Sequence, residues 1–288
     1  MRVKLRAGTH FAPLPQGVYV AGATGPAFVL TGPPVLYQVL DSQVGLLCAG
    51  TDTDALVAAL GGEAARPVLD RVLRTLVDRD ILLDLDGLGT PPPDGATADR
   101  YAEVLSYLEA HCAEPYKVFA QVQAATVAVL GGGPAAGVLE RTLRRYGIGR
   151  VVVLPTGQPV PVRPDVVVLL DDPDSPLDAL AYSRSRPDDA VTVVTAREAV
   201  ALVGAGLVGP AGMAGFLALA GRAEGWAVVE PDLAAPRPLS AVLAGSLAAH
   251  AVLRHLIGGD LPPATPGGDL PPATPGGDAP PAALGGDA

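Results

Sequence analysis

The chain has 288 residues, of which 49% are hydrophobic and only 4% aromatic, with a net charge of −10. That length suggests two domains, and a core of Val, Leu and Ala suits a sheet buried under helices. The acidic balance, with no basic run or stripe, excludes nucleic acid as an expected partner. No apolar stretch reaches the ~18–20 residues that span a bilayer, so no membrane contact is expected despite a mean hydropathy of +0.35.

The opening MRVKLRAGTHF carries charge but no apolar signal region or cleavage site, and a cytoplasmic location is expected. Residues 17–22 (GVYVAG) and 26–32 (PAFVLTG) are β-prone runs that read as a hairpin. Apolar residues recur on a helical period through 33–47, and 51–60 reads as a short helix with Thr51 and Asp54 as its capping pair. In 66–79, Val68, Leu69, Val72, Leu73, Leu76 and Val77 share one helical face, with Asp70, Arg71, Arg74, Asp78 and Arg79 opposite. The strand-like ILLDLD at 81–86 closes the unit, and residues 1–86 predict a small winged-helix-like module.

The Pro- and Gly-rich stretch 87–98 reads as a linker. A helix is expected over 99–111, followed by a loop and an α/β domain extending to 259. Strands at 127–130, 151–154, 166–170 and 191–194 alternate with helical sequence, which predicts a mostly parallel, doubly wound sheet. Residues 260–288 form a low-complexity Pro/Gly/Asp tail, expected to be disordered because it cannot bury enough surface to offset chain entropy.

VAVLGGGPAAGVLERTLRRYGIGRVVVL (127–154) has the strand–glycine turn–helix–strand order of a nucleotide-binding unit. Gly131, Gly133 and Gly137 are one residue longer than GxGxxG, and the strict third position is Ala136. The second strand is followed by PTGQPV, without the acidic residue that holds a ribose, and there is no GKS or GKT loop. The turn is therefore read as a vestige kept for the fold, and no cofactor is expected. Asp171, Asp172 and Asp174 follow a strand and could hold Mg²⁺, but loop capping is the plainer reading. His250 and His255 are five apart, not on one helix face, and His111 is isolated. Ser240 and Ser246 lack a nucleophile elbow. Cys48 and Cys112 form no zinc motif and read as ordinary thiols, buried or half-buried. No catalytic group and no metal site are expected.

DRYAEVLSYLEAH, the 127–154 segment, PDVVVLLDD, VGPAGMAGFLALAGRAEG and the late PLSAVLAGSLAAHAVLRHLIGG together resemble ThiF-type folds, relatives of ubiquitin- and sulfur-carrier-activating enzymes. The ribose-binding Asp and the Asn and Arg after the second strand are missing. FLAL, with Phe216 and Leu219, stands where the family has a CxxC zinc pair. Only Asp171 or Asp172 matches its nucleotide/Mg²⁺ aspartate. With the module before it, the chain is similar to the ocin-ThiF-like, or F-type, proteins of thiopeptide and thiazole/oxazole biosynthesis. These carry a winged-helix RiPP recognition element (RiPP: ribosomally made, modified peptide).

That resemblance implies a chain that is not itself an enzyme. It would capture a precursor's leader peptide and present the core peptide to a partner YcaO cyclodehydratase, and relatives are often homodimers. The leader would add as a strand by β-augmentation along Ala27, Phe28, Val29, Leu30 and Thr31. Arg66, Leu69, Asp70, Leu73 and Arg74 of the following helix would line the other wall. Arg66, Arg71 and Arg74 would meet leader carboxylates or, equally, form a solvated face with Asp70 and Asp78. The alternatives are an ATP-dependent adenylating ThiF-like enzyme and an NAD(P)-dependent oxidoreductase.

Overall fold

Alternation of charged and apolar residues begins at once: β1 (Arg2–Leu5) points Val3 and Leu5 inward, 0% and 7% exposed. The computed structural model describes residues 1–155, 158–160, 163–171, 182, 184–186, 188, 191–197, 200–207, 213–214 and 237–258. Asp172, Asp174, Phe216, Leu219 and the tail lie outside them.

Two further strands, β2 (His10–Leu14) and β3 (Gly17–Ala21), precede β4 (Phe28–Thr31). The expected hairpin is thus β3–β4 within an antiparallel meander of order β2-β3-β4. β2 lacks apolar alternation and contains Pro13, which an edge strand tolerates. Next come α1 (Val35–Ala49), β5 (Thr51–Asp52), α2 (Thr53–Ala59), a 3₁₀ turn, α3 (Arg66–Asp78) and β6 (Leu82–Asp84). β1 lies between β5 and β6 in a second small antiparallel sheet. The cap of α2 differs from expectation: Asp52 accepts from Ala55 N–H at 2.7 Å, while Thr51 is in β5. Leu40 and Leu47 of α1, Leu56 of α2 and Leu69, Leu73 and Leu76 of α3 join Val3, Val18, Val20 and Leu30 in one core.

The predicted linker is partly helical. Asp94 accepts from Thr97 N–H at 2.9 Å and starts α4 (Gly95–Arg100). α5 (Ala102–His111) follows, and the expected loop is α6 (Pro115–Ala124), with Pro115 in its first turn and Tyr116, Phe119 and Val122 buried. β7 (Thr126–Leu130), α7 (Gly133–Arg145), β8 (Arg150–Leu154), β9 (Val166–Asp171), β10 (Val191–Arg197), β11 (Val200–Leu207) and α8 (Arg237–Ile257) complete the described elements.

The large sheet runs β11-β10-β9-β7-β8, parallel except for β11, which pairs antiparallel with β10. Val166, Val168 and Leu170 of β9 pack toward α5–α8; Val167 and Leu169 face a separate cluster with Met213. Alternate residues buried on both faces explain the unbroken VVVLL of this strand. No helix among the described residues is long and apolar enough to cross a membrane.

Candidate functional site

β4 is an open edge. Gly32 N–H donates to the Gln16 carbonyl at 3.1 Å, and Thr31 opposes Gly17. Bonded pairs alternate along an antiparallel ladder. Phe28 and Leu30 therefore bond inward to Val20 and Val18, and the N–H and C=O groups of Val29 and Thr31 point outward. Among the described residues no strand pairs with that edge. Leu30 is buried and Phe28 half-buried, whereas Ala27, Val29 and Thr31 are exposed.

α3 shares a core with this strand through Leu69, Leu73 and Leu30. Just past its end, the Arg79 guanidinium lies 5.3 Å from the Phe28 ring centroid, a cation–π contact joining helix and strand. Arg66 is engaged locally: Nε donates to Glu63 at 2.6 Å and Nη2 to Asp54 at 2.8 Å. These bonds hold the Arg66 guanidinium above its ordinary range and the Glu63 carboxyl below its own. Leu69 and Leu73 are buried, 8% and 1% exposed, within the core rather than on an open wall. Asp70 is half-buried, Arg71 and Arg74 are exposed, and none has an ion pair among the described residues.

The glycine turn between β7 and α7 demands glycine at two positions, Gly131 and Gly133, the latter at φ +79°. Gly131 has φ +124°, and a Cβ there would lie 2.9 Å from both Cβ and O of Leu170. Gly137 sits in helix with only Arg141 Nη1 near its missing Cβ, at 3.5 Å. The buried residue at the third position is Ala136, 5% exposed. Close helix approach is supplied instead by Gly245 of α8, where a Cβ would stand 2.9 Å from Ala135 O. Gly131→Ala is therefore expected to cost about 2–4 kcal/mol through strain and overpacking, and Gly137→Ala to gain about 0.5–1 kcal/mol. Urea unfolding of the two variants checks both signs.

A buried polar junction ties β1 to α5 and α6. Glu109, 5% exposed, accepts from Lys4 Nζ at 2.6 Å and from Tyr116 OH at 2.8 Å through the same oxygen. Arg6, 8% exposed, donates from Nη1 to the carbonyls of Glu109 and Cys112, both at 2.8 Å. Burial lowers the Arg6 pKa against the pull of Asp80, and burial, then the Glu109 carboxylate, raises that of Tyr116. A cavity of about 440 Å³ alongside is lined by Lys4, Cys48, Asp99, Ser106 and Tyr116.

The thiols differ from their shared expectation: Cys48 is exposed and Cys112 buried. Burial pushes the Cys112 thiol up. A thiol reagent should titrate one cysteine in the folded protein and the second only after denaturation; two fast thiols would contradict this. His111 and His250 flank Tyr107, with ring centroids 4.7 and 5.9 Å away, as packing partners between α5 and α8.

No protein-family model matches the sequence, and no curated protein matches it. Solved structures do share the fold. E. coli MccB bound to AMPCPP and MccA matches with a TM-score of 0.55 and 13% identity over 89% of each chain. The microcin C7 biosynthetic enzyme MccB with N-formylated MccA matches with a TM-score of 0.55 and 13% identity over 89% of this chain and 90% of that one. A heterocyclase in complex with substrate and cofactor matches with a TM-score of 0.56 and 19% identity over 89% of this chain but 33% of its own.

The architecture is thus the mixed α/β, ThiF-like fold of MccB across most of the chain. This corrects one expectation. The chain was expected not to be an enzyme, from its F-type resemblance and its missing ribose carboxylate, Asn, Arg and CxxC; yet over 89% of its length it shares the fold of a biosynthetic enzyme. Missing motif residues were too narrow a basis for excluding catalysis.

Proposed function

We propose that this chain captures the leader of a ribosomal precursor peptide on the open edge of β4. Residues 1–86 serve as a RiPP recognition element, and the core peptide is held for modification by a YcaO cyclodehydratase partner. The observation that carries this reading is the outward-facing backbone of Val29 and Thr31, which is unpaired among the described residues. An extended peptide completes that ladder, so main-chain hydrogen bonds provide affinity and alternate side chains provide register. Arg74 and Arg79 offer positive charge to leader carboxylates, while Arg66 braces α2 against α3. MccB solved with its MccA peptide, and a heterocyclase solved with substrate, are consistent with a peptide partner.

Fluorescence polarisation of a labelled leader from the neighbouring precursor, titrated with full-length protein, tests this. Saturable binding is expected, and flat polarisation overturns it. A second reading, ATP-dependent adenylation, is favoured by the MccB structures holding ATP or AMPCPP. Peptide-dependent exchange of pyrophosphate into ATP supports that activity; its absence with leader binding intact leaves peptide capture alone.

A further inference from the structure

The two faces of the meander are unlike. Its inner face packs Val18, Val20 and Leu30 into the core. Its outer face leaves Tyr19 and Val29 40% and 41% exposed, side by side as a cross-strand pair. By the alternation set at Gly32–Gln16, this pair is a non-bonded one, the kind in which side chains stand closest. Ala12, directly opposite Tyr19 on β2, is small and exposed. An open edge flanked by bare apolar side chains is a liability that proteins ordinarily blunt with charge; here the edge carries none.

We infer that Tyr19 and Val29 form a selectivity surface, and that the strand captured on β4 carries a large apolar residue, aromatic or branched, at the position opposite Val29. This rests on the peptide-capture reading above. A residue paired with Val29 exchanges both main-chain bonds with it and emerges on the same face. It then lies over the short Val29 side chain, within reach of the Tyr19 ring. The neighbouring peptide positions turn to the opposite face, toward Phe28 and the Arg79 guanidinium, where a carboxylate suits better. The expected pattern is one apolar side chain between polar or acidic ones, read by two faces of a single strand.

The test is selection of a randomised, mRNA-displayed peptide library on immobilised full-length protein, run in parallel on the wild type, Tyr19→Ala and Val29→Pro. The wild type should enrich peptides with an aromatic or branched apolar residue at one fixed position. Tyr19→Ala, whose side chain is outside the core, should flatten that preference and weaken the selected peptides about fivefold. Val29→Pro should enrich none. Peptides that depend on Val29 but show no apolar preference, or keep it in Tyr19→Ala, overturn the selectivity surface and leave peptide capture standing. Selected peptides indifferent to Val29→Pro overturn the capture reading itself. A wild-type protein that sediments as a dimer, with Val29→Pro a monomer, assigns the edge to a second copy and overturns both.

Discussion

Replacing Val29 with proline should reduce leader binding roughly 30- to 150-fold while leaving the fold intact. The N–H of Val29 points away from β3, so proline removes no bond of the existing ladder, and an edge strand accepts it. Phe28, the preceding residue, is already extended, as a residue before proline prefers. What is lost is a donor to the incoming strand, whose carbonyl is left unpaired against the proline ring. The lost bond and the unsatisfied acceptor together amount to about 2–3 kcal/mol. Val29→Ala keeps the donor and should weaken binding only severalfold. Leu30→Pro, in contrast, removes a bond to Val18 and should unfold the meander. Polarisation titrations with a circular dichroism control separate these cases. Equal binding by wild type and Val29→Pro would show that the leader does not add at β4.

The largest stability effect is expected at Glu109. Its carboxylate is buried between Lys4 and Tyr116. Glu109→Ala leaves the Tyr116 hydroxyl without its acceptor and the Lys4 ammonium without its counterion. Breaking a buried pair from one side is costly because the other charge stays in place. Lys4 keeps 26% of its side-chain surface exposed and can turn partly to water, which puts the cost near the lower end, about 3 kcal/mol. At this chain length that is a fall in Tm of roughly 6–12 °C. Glu109→Gln retains an acceptor for Tyr116 and should cost less, about 1–2 kcal/mol. Scanning calorimetry measures both; an unchanged Tm in Glu109→Ala would contradict a junction held by this carboxylate. The same network makes a fragment ending near residue 90 a poor substitute for the full chain, since Arg6 would lose both carbonyl acceptors.

Much of this fold was legible in the sequence, for physical reasons. The four apolar β-runs of the large sheet announce buried parallel strands, and α3 announces itself by a clean division into Leu/Val and Asp/Arg faces. β11, an antiparallel edge, was missed because VALVGAGL is rich in small residues and shows neither clean period. The charge of the terminus masks β1, although Arg-Val-Lys-Leu alternates as a half-buried strand does. α6 was read as loop although Tyr116, Phe119 and Val122 share a helical spacing.

The site was less legible. Residues 27–31 are legible as a strand, but which edge of the meander is open and which amides face outward depend on a register that only the paired strands reveal. Arg66 was grouped with Arg71 and Arg74, but its partners Glu63 and Asp54 were a matter of helix packing. Ala136 is legible as the third position of the glycine turn, whereas the close approach of Gly245 to α7 leaves no motif. The Glu109 junction joins residues over a hundred positions apart, so no local spacing could expose it.

Amide hydrogen exchange on the full-length protein, with and without saturating leader peptide, tests the central claim most directly. Capture at the β4 edge predicts new protection at Val29 and Thr31, whose amides have no partner among the described residues, with little change at Phe28 and Leu30, which are already bonded to β3. Protection centred on the β7–α7 turn, or none along β4, would contradict it.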